Sequence, residues 1–140
     1  LLFDLKLLDP DLHRQYTGVS NEAILKNLRR LPEWMAEAAH PLELWVRTPL
    51  IPGASAAPAN IHAIGAWLKE NLGESVSRWE LCAFNNLCRE QYTRLGLEWK
   101  YAATPLLTQQ DLAHCEQTGR ASGFPAKRIL ASGAVRPGDP

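Results

Sequence analysis

The chain has 140 residues, and 15 Lys and Arg balance 15 Asp and Glu, so the formal net charge is zero. At 46% hydrophobic and 21% charged residues, the composition is that of one globular domain or a piece of a larger one, and disorder of the whole chain is excluded. Balanced charge argues against a nucleic-acid-binding module, and no apolar run approaches the ~20 residues of a membrane span.

Leu1–Leu7 reads as the first strand. Period-2 alternation puts Leu1, Phe3, Leu5 and Leu7 on one face and Leu2, Asp4 and Lys6 on the other. Asp4 and Lys6 interrupt the apolar run and no small-residue cleavage site follows, so Leu1–Leu8 does not read as a secretory leader. A strand this apolar belongs inside a sheet. With no Met before it, the sequence is expected to be a fragment whose N-terminal part is missing. Asp9-Pro10-Asp11 then breaks the strand. Ser20 or Asn21 caps a helix in which Ile24, Leu25, Leu28 and Leu31 recur at helical spacing, with Glu22 in its first turn. Pro32 is expected to kink or split this helix before Trp34, and His40-Pro41 marks a boundary.

Leu42–Leu50 is the second strand, with Leu42, Leu44 and Val46 on one face and Glu43, Trp45 and Arg47 on the other. Pro49 and Pro52-Gly53 close it with a turn. Residues 55–59 read as loop, and Pro58 suits a helix start. Ile61, Ile64, Leu68 and Leu72 form a helical stripe that Gly73 ends. Trp79–Phe84 is the third strand, Leu87–Leu95 a short helix. Thr108 with Asp111 opens a capping-box helix that runs to about Thr118 and stops at Gly119. Lys127–Ala131 is a last strand, and a Gly/Pro-rich tail runs from Gly133 to Pro140.

Alternating strands and amphipathic helices predict an α/β fold of parallel strands with crossover helices. Polar residues gather at the C-terminal ends of the strands: Asp4 and Lys6, then Arg47, then Asn85. In barrels and open α/β sheets this is the edge where ligands bind. One carboxylate, one ammonium, one guanidinium and one amide suit a zwitterionic or polar small molecule. Each residue also has a plainer reading. Asp4 and Lys6 could be an ion pair inside a barrel, Arg47 a surface arginine, and Asn85-Asn86 a turn. Trp45 alternates with Arg47, which makes it a candidate lumen residue. Cys82, Cys88 and Cys115 are odd in number and widely spaced, which reads as inert thiols in a cytoplasmic protein rather than a secreted disulfide framework. His13, His40, His62 and His114 lack paired metal-ligand spacing, and Arg29-Arg30 reads as a solvated helix face.

Asp-Leu-Lys at Asp4–Lys6 followed by Asp9-Pro10, His13-Arg14 and Thr17-Gly-Val-Ser-Asn-Glu22 resembles the middle of a glycyl-radical-enzyme activating enzyme. These are radical S-adenosylmethionine proteins of the pyruvate formate-lyase activase type. The resemblance continues through Arg47-x-Pro-Leu-Ile-Pro-Gly53 and Tyr92-x-Arg-Leu-Gly96, covers most of residues 1–100, and is looser beyond. It implies the C-terminal half of a partial (β/α)6 TIM-like barrel, with residues 1–140 the C-terminal part of a radical SAM barrel domain. By position it implies that Asp4 and Lys6 hold the methionyl and ribose parts of S-adenosylmethionine, and that Arg47 contacts the same cosubstrate. Asp4 is also similar to an aspartate that helps bind a monovalent cation. Asn85 falls where the best-known members carry a histidine beside the adenosine, and Phe84 where they carry a tyrosine. These departures point towards an activase for a glycyl radical enzyme other than pyruvate formate-lyase.

The family's Cys-x3-Cys-x2-Cys motif is not in this sequence, and Cys82, Cys88 and Cys115 have neither its spacing nor its neighbours. The resemblance therefore places the ligands of the [4Fe-4S] cluster upstream of Leu1 and makes the fragment alone inactive. It implies a glycyl radical enzyme as protein substrate and a flavodoxin or ferredoxin type electron donor, with no nucleic acid or membrane partner. A half-built sheet is also expected to self-associate. The rival class is a non-catalytic half-barrel binding or scaffold module. A phosphate-binding α/β enzyme is disfavoured, since no Gly-rich loop follows a strand.

Overall fold

In a computed structural model describing residues 1–137, the second strand has one buried face, Leu44, Val46, Thr48 and Leu50, and one half-open face, Trp45, Arg47 and Pro49. Residues 138–140 of the expected Gly/Pro-rich tail lie outside the described residues. The elements are β1 (Leu2–Asp4), α1 (Pro10–Thr17), α2 (Glu22–Ala36), β2 (Leu44–Leu50), α3 (Pro58–Asn71), β3 (Val76–Ala83), α4 (Arg89–Arg94), α5 (Gln109–Ala121) and β4 (Ile129–Ser132). The strands form one sheet in the order β1-β2-β3-β4, every neighbouring pair parallel. The predicted α/β class with parallel strands and crossover helices is what the chain adopts. Among the described residues no helix is long and apolar enough to cross a membrane.

A single core joins the sheet to its helices. Leu44, Val46 and Leu50 of β2 and Trp79 and Leu81 of β3 pack with Leu28 of α2, Ile61, Ile64 and Leu68 of α3, and Leu112 of α5. Trp79 and Phe124 meet edge to face at 5.7 Å. Gly65 admits this packing: a Cβ there would stand 2.7 Å from the Trp79 ring and 2.0 Å from Ser122 Oγ. Gly119 sits inside α5 rather than ending it, because an added Cβ would press Leu81 at 3.3 Å and Trp79 at 3.4 Å. The expected helix stop is thus a packing glycine, and α5 runs on to Ala121. The capping box is present: Asp111 N donates to Thr108 Oγ1 at 3.0 Å and Thr108 N to Asp111 Oδ2 at 2.9 Å.

Several other boundaries differ. Asp9-Pro10-Asp11 is not a break but a helix start. Asp9 Oδ1 accepts from the amides of Asp11 and Leu12, both at 2.9 Å, Pro10 fills the first turn, and Gly18 closes α1 at φ 83°. α2 runs through Pro32 without splitting, its Ile24, Leu25, Leu28, Leu31 and Met35 stripe being held on the core. β3 begins at Val76, three residues before the expected start, and β4 spans Ile129–Ser132 rather than Lys127–Ala131. β1 keeps only Leu2–Asp4 of the expected seven residues. Leu5 and Leu7 stay on the buried side, 1% and 2% exposed; the Leu5 amide still donates to Arg47 O at 2.8 Å, but the carbonyls of both residues turn to side-chain partners.

Candidate functional site

The face of the sheet opposite the core carries the polar residues, and parallel register lines them up across strands. Asp4 of β1 stands beside Arg47 of β2, and Arg47 beside Glu80 of β3. Arg47 Nε donates to Asp4 Oδ1 at 2.9 Å, and a second guanidinium nitrogen lies 2.9 Å from the same oxygen. Both side chains remain about two-fifths exposed (40% and 42%), so the pair is preorganised yet open to a ligand. The ion-pair partner of Asp4 is therefore Arg47, where the plainer sequence reading had offered Lys6.

Lys6 and Asp4 both line a cleft of about 430 Å³ just beyond the end of β1. Its other walls include Tyr16 of α1, Ser55 of the β2–α3 loop, Tyr92 of α4 and Tyr101. Tyr16 OH donates to Gly53 O at 2.8 Å, tying α1 to the loop after β2. The Lys100 ammonium lies 4.7 Å over the Tyr16 ring and 5.8 Å from that of Tyr101. Burial, with Tyr16 nearby, pushes the Tyr101 hydroxyl above its ordinary pKa. Behind it Phe84 stacks on Trp99 at 6.0 Å, and Tyr92 lies 5.9 Å from Trp99.

Asp4 and Lys6 thus share one cleft, while Arg47 stands in the middle of β2, outside the lining residues of that cleft, and is joined to it through its ion pair with Asp4. Asn85 is not among the lining residues of this cleft; it is exposed, and its Oδ1 accepts from Leu87 N at 3.2 Å as in a turn. Trp45 shares the open face, with the Arg78 guanidinium 4.0 Å over its ring. Glu80 extends the charged row, accepting from Ser132 Oγ at 2.6 Å, and went unselected although the alternation Arg78, Glu80, Cys82 in the third strand marks it. Tyr16 lies far in sequence from the adjacent Lys100 and Tyr101, and no spacing rule joins it to them.

The cysteines do not converge on a metal. Cys82 is half-buried on β3, Cys88 exposed and Cys115 buried. Desolvation, with Glu80 second, pushes the Cys82 thiol up, and desolvation does the same at Cys115. Among the described residues no group of three His, Cys, Asp or Glu could hold a metal ion. Of the histidines, His13 is buried with Nδ1 2.7 Å from Val19 O. Arg29 donates to Asn71 Oδ1 at 2.9 Å on the helical surface.

No family model matches the chain. Over 100 residues it is 35% identical to the (2S)-3-sulfopropanediol dehydratase activating enzyme of Klebsiella oxytoca, covering 71% of this chain and 30% of that one. It is 39% identical over 99 residues to the isethionate sulfite-lyase activating enzyme of Nitratidesulfovibrio vulgaris, covering 70% and 29%. The choline trimethylamine-lyase activating enzyme of Oleidesulfovibrio alaskensis is 28% identical over 129 residues, covering 91% and 40%. The chain therefore spans between 29% and 40% of the length of these relatives. In fold it is similar to a domain of a pyruvate-formate lyase-activating enzyme from Bacteroides vulgatus, with a TM-score of 0.66 and 24% identity over 95% of this chain and 66% of that one.

Proposed function

From the chain's resemblance to the activating enzymes of glycyl radical enzymes, we propose that it forms the cosubstrate-binding C-terminal part of a radical S-adenosylmethionine barrel domain. The carrying observation is that Asp4 and Lys6 line one cleft at and just beyond the end of β1, with Arg47 of the neighbouring parallel strand paired to Asp4. That donor set fits a zwitterion. Lys6 and Arg47 offer cations to a carboxylate, and Asp4 offers an acceptor to an ammonium or to ribose hydroxyls. Asp4 is also the candidate for a monovalent cation, although its Oδ1 is engaged by Arg47. When bound, S-adenosylmethionine supplies the adenosyl group that such an activase directs at a glycine of its partner enzyme. The part played by these residues is to orient it.

Among the described residues the cysteines do not fit the iron–sulfur cluster that the resemblance implies. Cys82, Cys88 and Cys115 form no ligand set, so a [4Fe-4S] cluster and its electron donor, of flavodoxin or ferredoxin type, would be served by a part of the protein outside these 140 residues. The four-stranded parallel sheet and its single helical layer are consistent with a section of a (β/α)6 barrel whose open face is the lumen.

Titration calorimetry with S-adenosylmethionine on the full protein tests the assignment. Arg47→Ala is expected to weaken binding by about 1.5–3 kcal/mol, the range for a hydrogen bond to a charged group, or roughly tenfold to a hundredfold. Unchanged affinity in a folded Arg47→Ala protein would overturn it.

A further inference from the structure

Between the end of β1 and the start of α1, residues 5–8 belong to neither strand nor helix. Yet the four successive carbonyls of this segment each accept a hydrogen bond from a side chain of another part of the fold. Thr48 Oγ1 of β2 donates to Leu5 O at 2.9 Å. Asn60 Nδ2 of α3 donates to Lys6 O at 3.0 Å. Asn21 Nδ2, just before α2, donates to Leu7 O at 2.9 Å and Leu8 O at 2.7 Å. The three side chains are buried, at 0%, 8% and 1% exposure.

Asn60 does more than donate once. Its Oδ1 accepts from Leu8 N at 3.0 Å, and its Nδ2 also reaches Ser55 O at 3.0 Å. Bonding the carbonyl of Lys6 and the amide of Leu8 is what one residue of a neighbouring parallel strand would do. The Asn60 amide therefore replaces a strand residue where the sheet ends, and holds the backbone on both sides of Leu7. A buried amide in α3 is unfavourable unless bonded in this way. Lys6 carries its charge on a flexible four-carbon stem, so the region its ammonium can reach is decided by where its backbone is fixed.

We infer that Asn60 is a positioning residue of the cleft, acting through Lys6 by clamping the Lys6–Leu8 backbone, with Asn21 completing the clamp. The inference rests on the proposed reading of Lys6 as a cosubstrate contact. Its test has two independent arms, both on the full protein.

The first arm is amide hydrogen exchange. Leu8 N–H should exchange slowly in the unsubstituted protein although it lies outside any regular element. It should exchange at least about tenfold faster in Asn60→Ala, while amides of β3 keep their protection. A Leu8 amide that exchanges as fast as an exposed loop, or is indifferent to Asn60→Ala, overturns the clamp. The second arm is a double-mutant cycle on S-adenosylmethionine affinity, using the near-isosteric Asn60→Asp, which sets a carboxylate against two carbonyls, together with Lys6→Met. Each single variant should weaken binding roughly tenfold, and the double variant no further, because both act through one ammonium. Losses that multiply to roughly a hundredfold would show that Asn60 does not act through Lys6, and overturn the inference. An Asn60→Asp protein that is folded and binds normally overturns it too, while leaving the proposed function standing if Lys6→Met binds weakly. An unsubstituted protein without affinity for S-adenosylmethionine would refute the proposed function, and with it the role of Lys6. The exchange arm would then separately decide whether the clamp exists.

Discussion

Replacing Thr48 with Val should destabilise the protein although the two side chains are nearly the same shape. Thr48 is 0% exposed, in the middle of β2. Its hydroxyl accepts from Trp79 Nε1 at 3.0 Å and donates to Leu5 O at 2.9 Å, linking the largest core side chain to the segment that carries Lys6. Valine removes both bonds and opens no cavity. The Trp79 N–H, also at 0% exposure, and the Leu5 carbonyl are then orphaned, each at about 1–3 kcal/mol. An extra buried methyl returns about 0.8 kcal/mol. The net loss is on the order of 1–5 kcal/mol, a fall in Tm on the order of 5–15 °C for a domain of this size. Thr48→Ser is the control. It keeps both hydrogen bonds and loses only a methyl, about 1 kcal/mol, so it should melt above Thr48→Val. Thermal denaturation followed by circular dichroism reads the order directly. A Val variant as stable as the parent, or more stable than the Ser variant, would mean that the Trp79–Thr48–Leu5 relay contributes nothing and that burial alone governs this position.

Three further outcomes are expected. Hydrogen bonds from the Thr108 hydroxyl and amide hold the Asp111 carboxyl below the ordinary aspartate range; the stability they confer is present above the unfolded pKa and lost as pH falls through the lowered native one. The difference in urea midpoint between the parent and Asp111→Asn should therefore be constant from neutrality to about pH 5 and narrow below about pH 4, and a gap that widens on acidification would contradict the capping box. With Cys88 exposed and the Cys82 and Cys115 thiols pushed up by burial, iodoacetamide near neutral pH should label Cys88 first by peptide mapping, and anaerobic reconstitution with iron and sulfide should yield no stoichiometric cluster on this chain; preferential labelling of Cys115, or a cluster lost on replacing these cysteines, would upset the assignment. Light scattering on the isolated 140-residue chain should reveal self-association, since β1 is an edge strand with Leu1 and Leu2 47% and 60% exposed; a monomer at tens of micromolar would speak against edge pairing.

Period and punctuation in the sequence were enough for the parallel α/β class, for α3 with its Pro58 start and its Ile61, Ile64 and Leu68 stripe, and for the Thr108–Asp111 cap. These are local properties: a stripe of apolar residues or a capping side chain acts within a turn or two of where it stands. A pleat of period two suggests that Asp4 and Lys6 face one side, but β1 stops at Asp4, and the backbone that carries Lys6 into the same cleft is held by the Asn60 amide rather than by a strand. Asp9-Pro10 was an equally local signal of α1, but α1 has few apolar residues to distinguish a helix start from a break. Other features depended on partners distant in the chain. Gly119 reads as a stop until Trp79 and Leu81 are packed against it. Asn21 reads as a cap until its amide turns to Leu7 and Leu8 instead of to its own helix. Arg47 could not be matched to Asp4, nor Tyr16 to Lys100 and Tyr101, by any spacing. Register between strands and the path of the chain after the third strand set those contacts, and both are decided by which apolar faces are buried together.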